Sequence, residues 1–246
     1  MPLYRADLHI HTVLSPCGDL EMSPVKIIEA AVLKGLDIVG ITDHNTTRHC
    51  PIIKKMAKKH GIFILQGSEI TTKEEVHCLA FFEEREDLTA LQKFLDEHLP
   101  DIKNDPEKFG YQVQVDEDEN IVYEEDKLLF GALNKSIEEV EEFVHERGGI
   151  FIPAHIDRKK NSVFSQLGFF PENLKVDALE VSKRTSIEEF RKIHPELSKY
   201  KMIRGSDAHY LEDIGTCTTM FEMEKLGFQE IRMTLAGING RSITVI

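Results

Sequence analysis

The chain is 246 residues long and 41% hydrophobic, with 30 Lys and Arg against 43 Asp and Glu, a net charge of −13. That is enough apolar material for one substantial core. No apolar run reaches the roughly 18 residues that cross a bilayer, and the acid excess disfavours broad, non-specific grip on nucleic-acid backbones.

In chain order, residues 4–11 read as a first strand containing Asp7-Leu8-His9-Ile10-His11. Alternation along a strand sends Asp7, His9 and His11 to one face and Leu8 and Ile10 to the other. Two imidazoles side by side on a rigid strand chelate a metal ion with little ordering cost. Ser23-Pro24 supplies an N-cap and first position for an amphipathic helix closing at Gly35. Leu36–Ile41 is a short apolar strand with Asp43-His44 at its carboxyl end. A basic helix over 49–60 stops at Gly61, and Ile62–Leu65 is another apolar strand, with Glu69 just beyond it. Glu75–Phe82 is a strand entered at His77, and a helical pattern follows to about residue 98. Ser136 and Glu139 form a capping box for a helix ending at Gly148-Gly149, and the strand Ile150–Ile156 carries His155 near its end. Ala178–Val181 is a strand, and a second capping box, Ser186 with Glu189, opens the next helix. Met202–Gly205, Thr218–Glu222 and Ser242–Ile246 complete the strands, with a helix near 227–236. Asp207 and His209 follow the Met202–Gly205 strand, where alternation again predicts one shared face.

Strands separated by helices imply a mainly parallel sheet with helical crossovers, and about seven such units suit a barrel. The whole of 1–246 reads as one α/β barrel domain. Its rhythm breaks only at about 99–134, where Tyr111–Val115, the acidic turn Asp116–Asn120 and Ile121–Tyr123 signal a hairpin. Long insertions of this kind serve as lids, as substrate-facing loops or as plain surface decoration. No nucleotide-cofactor glycine loop occurs. The N-terminal stretch lacks the regions of a signal peptide. The four cysteines (Cys17, Cys50, Cys78, Cys217) have no paired spacing, so a reducing cytoplasm is expected.

Ligand-type side chains thus repeatedly interrupt or end apolar strands, where an unpaired charge is expensive to bury. In a parallel barrel the carboxyl ends of different strands converge on one mouth. Six histidines, one glutamate and one aspartate meeting there would repel or lie unsatisfied unless they shared metal ions.

The successive motifs Asp7–Thr12, Thr42–Asn45, Gly67–Thr71 with Val76–Leu79, Pro153–Asp157 and Gly205–His209 resemble those of the PHP (polymerase and histidinol phosphatase) domain family. The resemblance runs in order from residue 5 to about residue 215. It implies a distorted (β/α)7 TIM-like barrel whose mouth holds two or three divalent ions, zinc, manganese or iron, and an activity on phosphate esters. Carried over by position, it implies that His9, His11, Glu69 and Asp207 hold one ion, and that Glu69 bridges to a second on His77 and His155. A third ion would take His44 and His209, with one more ligand from the loop after His11. That loop departs from the commoner family patterns: it offers Cys17 where some relatives have His, with Asp19 as the other candidate. Asp43, Asp7 and Asp157 are candidates to orient the ligands. Arg158 and Arg184 are the favoured phosphate-binding cations, ahead of Lys183 and Arg204. His49, His60, His98, His145 and His194 read as ordinary surface or packing residues.

The expected reaction is hydrolysis of phosphate mono- or diesters by a metal-activated hydroxide. The expected substrate is a small phosphorylated metabolite, a nucleotide or a short nucleic acid. The competing readings are an amidohydrolase-type hydrolase, which also begins with His-x-His on a barrel strand, and a non-catalytic metal-binding module.

Overall fold

The computed structural model describes residues 1–245; Ile246, the last residue of the expected C-terminal strand, lies outside the described residues. The chain opens with β1 (Leu3–Ile10), α1 (Pro24–Leu33), β2 (Ile38–Ile41), α2 (Cys50–Ala57), β3 (Phe63–Thr71), β4 (His77–Phe82) and α3 (Arg85–His98). It continues with α4 (Pro106–Phe109), β5 (Val113–Val115), β6 (Ile121–Glu124), α5 (Ile137–Glu146), β7 (Ile150–Pro153) and α6 (Val163–Leu167). The last elements are β8 (Leu179–Glu180), α7 (Ile187–Ile193), β9 (Met202–Ile203), β10 (Thr219–Glu222), α8 (Phe228–Leu235) and β11 (Ser242–Val245). The expected caps are present: Ser23 accepts from the Lys26 N–H at α1, and Ser136 with Glu139 and Ser186 with Glu189 close capping boxes on α5 and α7. A third capping box, Ser162 with Ser165, starts α6, a short helix that the apolar periodicity does not reveal. No helix among the described residues is long and apolar enough to cross a membrane.

The main sheet runs β11-β10-β1-β2-β3-β4-β7, and β8 and β9 form a parallel pair. The two are joined into a distorted TIM-like barrel. At one seam Asp177 N–H donates to Phe151 O and Ile156 N–H to Glu180 O; at the other His11 N–H donates to Ala208 O. Side chains of Leu8, Ile38, Leu65, Leu79, Ile152 and Ile203 fill the barrel, and Phe228, Ile231 and Leu235 of α8 pack against this group. A second cluster lies under α1 and α2, a third under α3, α5 and α7.

The sheet is not mainly parallel, as the alternation of strands and helices predicts, but mixed. β1, β2 and β3 are parallel, whereas β4 runs antiparallel to both β3 and β7, and β10 antiparallel to β1 and β11. The segment between Thr71 and His77 is too short to hold a crossover helix, so β3 and β4 can only pair as a hairpin. The functional consequence is that the amino end of β4, not its carboxyl end, arrives at the mouth.

β1 also departs from simple alternation. Asp7 lies opposite Val39 and Ile10 opposite Ile41, so one extra residue is accommodated in β1. Leu8 accordingly joins the barrel interior while Ile10 packs with Val39 and Ile41 under α1 and α2. The backbones are close enough here that a Cβ on Gly40 would lie 2.3 Å from Leu8 O, which only glycine tolerates. The inserted region contains the expected hairpin, β5 paired antiparallel with β6, preceded by α4.

One ion-pair network ties α5 to the edge of the barrel. His145 lies 2.5 Å from Glu141 Oε1 and 3.0 Å from Asp177 Oδ2, and Asp177 also accepts the Phe151 N–H at 2.8 Å. The Asp177 carboxylate raises the His145 pKa, against the effect of burial and with Glu141 adding to the rise. A raised pKa in the folded state favours the protonated form, so its stabilisation is complete below the unfolded value of about 6.5 and is lost as pH rises through the higher folded value. His145→Gln is therefore expected to lower the melting temperature at about pH 6, with the gap to the parent closing steadily above neutrality. Thermal melts of both proteins across that range check this, and a gap that does not depend on pH contradicts it.

Candidate metal centre

Three strand ends deliver the four central donors. His9 comes from β1, His11 from the residue after Ile10, Glu69 from β3 and Asp207 from the turn after β9. His9 Nε2 lies 3.2 Å from His11 Nε2, 3.4 Å from Glu69 Oε1 and 3.5 Å from Asp207 Oδ1. His11 Nε2 lies 3.3 Å from Glu69 Oε2 and 3.4 Å from Asp207 Oδ1. A tetrahedral zinc ion with bonds of 2.0–2.2 Å has ligand–ligand edges of about 3.3–3.6 Å. Four of these five separations fall in that range and the His9–His11 one lies just under it, with Glu69 meeting the two imidazoles through different oxygens.

Glu69 reaches further imidazoles with the same two oxygens. Its Oε1 lies 2.9 Å from His77 Nδ1 and 3.0 Å from His155 Nε2, and its Oε2 lies 3.2 Å from His44 Nδ1. Burial opposes the Glu69 charge, but the surrounding imidazoles, His77 foremost, hold its pKa well below the usual range. His209 stacks on His11 with ring centroids 4.3 Å apart, and its Nε2 faces Cys17 Sγ at 3.0 Å. Burial lowers the His209 pKa to about 4 and, with the neighbouring imidazoles, lowers that of His44 as well. Neutral imidazoles with free lone pairs are the form that binds metals. Among the described residues His44 Nδ1 and His155 Nδ1 are buried and have no hydrogen-bond partner. The groups able to hold an ion are His9, His11, Glu69 and Asp207; His44, Glu69 and His77; and His11, His44 and His209.

Two of these ligand candidates sit on strained backbone. His155 has φ +30° and Asp207 φ +52°, the left-handed region that residues other than glycine seldom adopt. Asp207 and His209 consequently meet through a turn and not through strand alternation; Asp207 Oδ1 lies 3.7 Å from His209 Nδ1.

The groups that orient the imidazoles differ in part from those expected. Asp43 accepts from Thr12 N–H (2.6 Å), Thr12 Oγ1 (2.7 Å) and Ser15 Oγ (2.8 Å), and Ser15 Oγ contacts His11 Nδ1 at 3.1 Å. Asp43 thus orients His11 through Ser15. Asp7 touches no ligand side chain: lying before the extra residue in β1, it turns to the N–H groups of Ser206 and Gly215 at 2.9 and 2.8 Å. Burial raises its pKa to about 6. Asp157 is likewise one step removed, accepting from Ser182 N–H and Oγ at 2.7 Å each and so bracing the β8 end that leads to Arg184. Asp19 does not turn to the cluster, because its Oδ1 accepts the Glu21 N–H at 2.9 Å within its own loop.

Sequence reasoning missed two residues. Glu180 in β8 is 1% exposed, accepts from His9 Nδ1 at 2.9 Å and from His155 N–H at 2.9 Å, and so fixes both a ligand ring and a strained ligand backbone. A Cβ on Gly205 would lie 2.7 Å from both Glu180 Oε1 and His9 Cβ. A lone glutamate in a two-residue strand carries no periodic signal, although a charge inside the apolar run Ala178–Val181 is a cue. His49, read as an ordinary helix residue, is fully buried: its Nδ1 lies 2.6 Å from Thr12 Oγ1, and its Nε2 accepts the Val115 N–H at 3.0 Å. It connects the inserted hairpin to the Asp43 network.

The centre opens into a cavity of about 440 Å³ whose rim carries Arg158, Lys159, Lys160 and Arg184. A smaller one of about 240 Å³, with Lys183 and Tyr210, shares Arg158, Arg184 and His209 with it. Arg158 Nη1 is paired with Asp207 Oδ2 at 2.6 Å.

Among known proteins, residues 7–159 match the PHP domain family and residues 198–236 the PHP-associated family. An uncharacterized protein of Methanocaldococcus jannaschii is 42% identical over 78 residues, covering 28% of this chain and 46% of that protein. The lesion-specific endonuclease PfuEndoQ from Pyrococcus furiosus superimposes with a TM-score of 0.77 at 23% identity, over 98% of this chain and 58% of that chain. A candidate metal-dependent phosphoesterase from Bifidobacterium adolescentis does so with a TM-score of 0.62 at 21% identity, over 83% and 87% of the two chains. The chain therefore spans about half the length of the first two proteins, and the structural likenesses establish the fold.

Removing a carboxylate that orients a ligating imidazole typically weakens metal binding about 10- to 100-fold. Glu180→Ala is expected to do so here, read as zinc or manganese affinity by calorimetry; unchanged affinity would contradict the role assigned to Glu180.

Proposed function

The chain belongs to the PHP domain family, and from that premise we propose that it is a metal-dependent phosphoesterase hydrolysing phosphate mono- or diesters. The observation that carries the reading is the central donor set, whose separations of 3.2–3.5 Å lie close to the ligand–ligand edges around a divalent ion. His9, His11, Glu69 and Asp207 would hold one ion, and Glu69 would be shared with a second on His77 and His155. The grouping of His11, His44 and His209, with Cys17 Sγ 3.0 Å from His209 Nε2, supports a third position. A thiolate there favours zinc over manganese.

Such ions supply Lewis acidity, lowering the pKa of water towards neutrality and offsetting charge on the reacting phosphoryl group. The chain's own residues do the rest. Glu180 and Ser15 hold the rings of His9 and His11 in place, so no reorganisation is needed when charge develops. The guanidinium groups of Arg158 and Arg184 present paired N–H donors suited to phosphate oxygens. Arg158 is already held at the centre by Asp207, so an entering phosphate meets a pre-positioned cation. Small phosphorylated metabolites, nucleotides and short nucleic acids all fit this chemistry. The likeness to an endonuclease favours keeping nucleic acid among them.

Glu69→Ala or Asp207→Ala is expected to lower hydrolysis of an aryl phosphate by the metal-loaded protein at least about a hundredfold. Retained turnover would refute the assignment. For Cys17, the cobalt-substituted protein is expected to show a thiolate-to-cobalt absorption band that Cys17→Ser removes; a spectrum identical in both proteins would exclude the thiol as a ligand.

A further inference from the structure

One exposed aromatic ring on the cavity wall is held more firmly than packing alone requires. Phe130 belongs to the inserted region, is 44% exposed and lines the cavity beside His44 and His77, with ring centroids 5.0 and 6.5 Å away. Its backbone is clamped on both sides. The Asn45 side-chain amide donates to Leu129 O and to Gly131 O, each at 2.8 Å, while Asn45 Oδ1 accepts the Thr71 N–H. The Gln112 carboxamide accepts the Leu129 N–H at 2.9 Å and donates to Glu125 O and Lys127 O. Both amide side chains are essentially fully buried. Leu129 and Leu133 are buried on either side, so the strand of backbone is fixed and only the Phe130 ring is left out in the cavity.

Leaving an apolar ring exposed costs free energy unless something covers it. The other side chains of the cavity wall are imidazoles, carboxylates, Cys17, Asn161 and the cations Arg158, Lys159, Lys160 and Arg184, so among the described residues Phe130 is the one purely hydrocarbon side chain there. A flat ring facing a cationic rim is the arrangement that takes a planar base on one side and its phosphate on the other. We propose that Phe130 is the specificity-determining residue of this site: it stacks the planar base of a nucleotide ester whose phosphate is held by the Arg158 side of the cavity. The proposal rests on the phosphoesterase reading. It adds that the leaving group is a nucleoside and not an aliphatic or bare sugar alcohol.

The chain contains no tryptophan, so Phe130→Trp creates a single tryptophan at the point in question, excited selectively over the tyrosines at long wavelength. In the metal-loaded variant, rapid mixing with adenosine monophosphate is expected to quench that emission, while ribose 5-phosphate leaves it unchanged. No quenching, or equal quenching by both, overturns the proposal. In turnover, the parent is expected to prefer adenosine monophosphate to ribose 5-phosphate in kcat/KM. Phe130→Ala should reduce that preference about tenfold, chiefly through KM, and Phe130→Trp should restore it. A preference unaltered by Phe130→Ala refutes the stacking role and leaves the phosphoesterase reading intact. Turnover of neither compound, nor of aryl phosphate mono- and diesters, by the metal-loaded parent would instead refute that reading, and the fluorescence result would still decide the stacking.

Discussion

A single buried carboxylate organises this molecule. Glu69 lies within 3.4 Å of imidazoles from His9, His11, His44, His77 and His155, and these come from β1, the ends of β2 and β7, and the start of β4. A charge that deep is affordable only when it is surrounded by compensating groups. Residues from β1, β2, β4 and β7 contribute to satisfying it. The antiparallel course of β4 and the positive-φ backbone at His155 and Asp207 are the distortions that bring the rings into reach.

Around that carboxylate lies a second layer that keeps the rings in place. Glu180 fixes His9, while Asp43 fixes His11 by way of Ser15, and Thr12 passes the same network on to His49. Because His49 also accepts the Val115 N–H, the inserted hairpin is anchored to the centre by its backbone. The same insertion returns to the cavity at Phe130 through the Asn45 clamp. Asn45 sits next to His44 in the chain, so the residues that present a candidate ligand also hold the ring above it. The insertion is built into the site and is more than surface decoration.

The strongly negative net charge is misleading about local electrostatics. Glu69 and Asp207 belong to the donor set, and among the groups around the cavity rim are Arg158, Lys159, Lys160 and Arg184. An anionic ester approaching the mouth meets cations at the rim, and the acid excess elsewhere acts against long polyanions.

Residue type at strand ends was legible in the sequence. His9, His11, Glu69, His77, His155 and Asp207 each stand out against apolar runs, and capping boxes and glycines marked the helices, because these signals are local and need only a few neighbouring residues. Barrel class followed from their alternation. The direction of β4, the extra residue in β1, and the partners of Asp7 and Asp19 depended on which strand lay alongside which, and alternation assumes that pairing instead of supplying it. Glu180 and His49 looked ordinary because what makes each one matter lies far away: Glu180 reaches back to His9, and His49 reaches Thr12 and Val115. Residue order alone shows which metal-ligating side chains the strand ends carry. Which rings are braced, and by what, depends on the folded packing, since hydrogen bonds between distant segments leave no periodic trace along the chain.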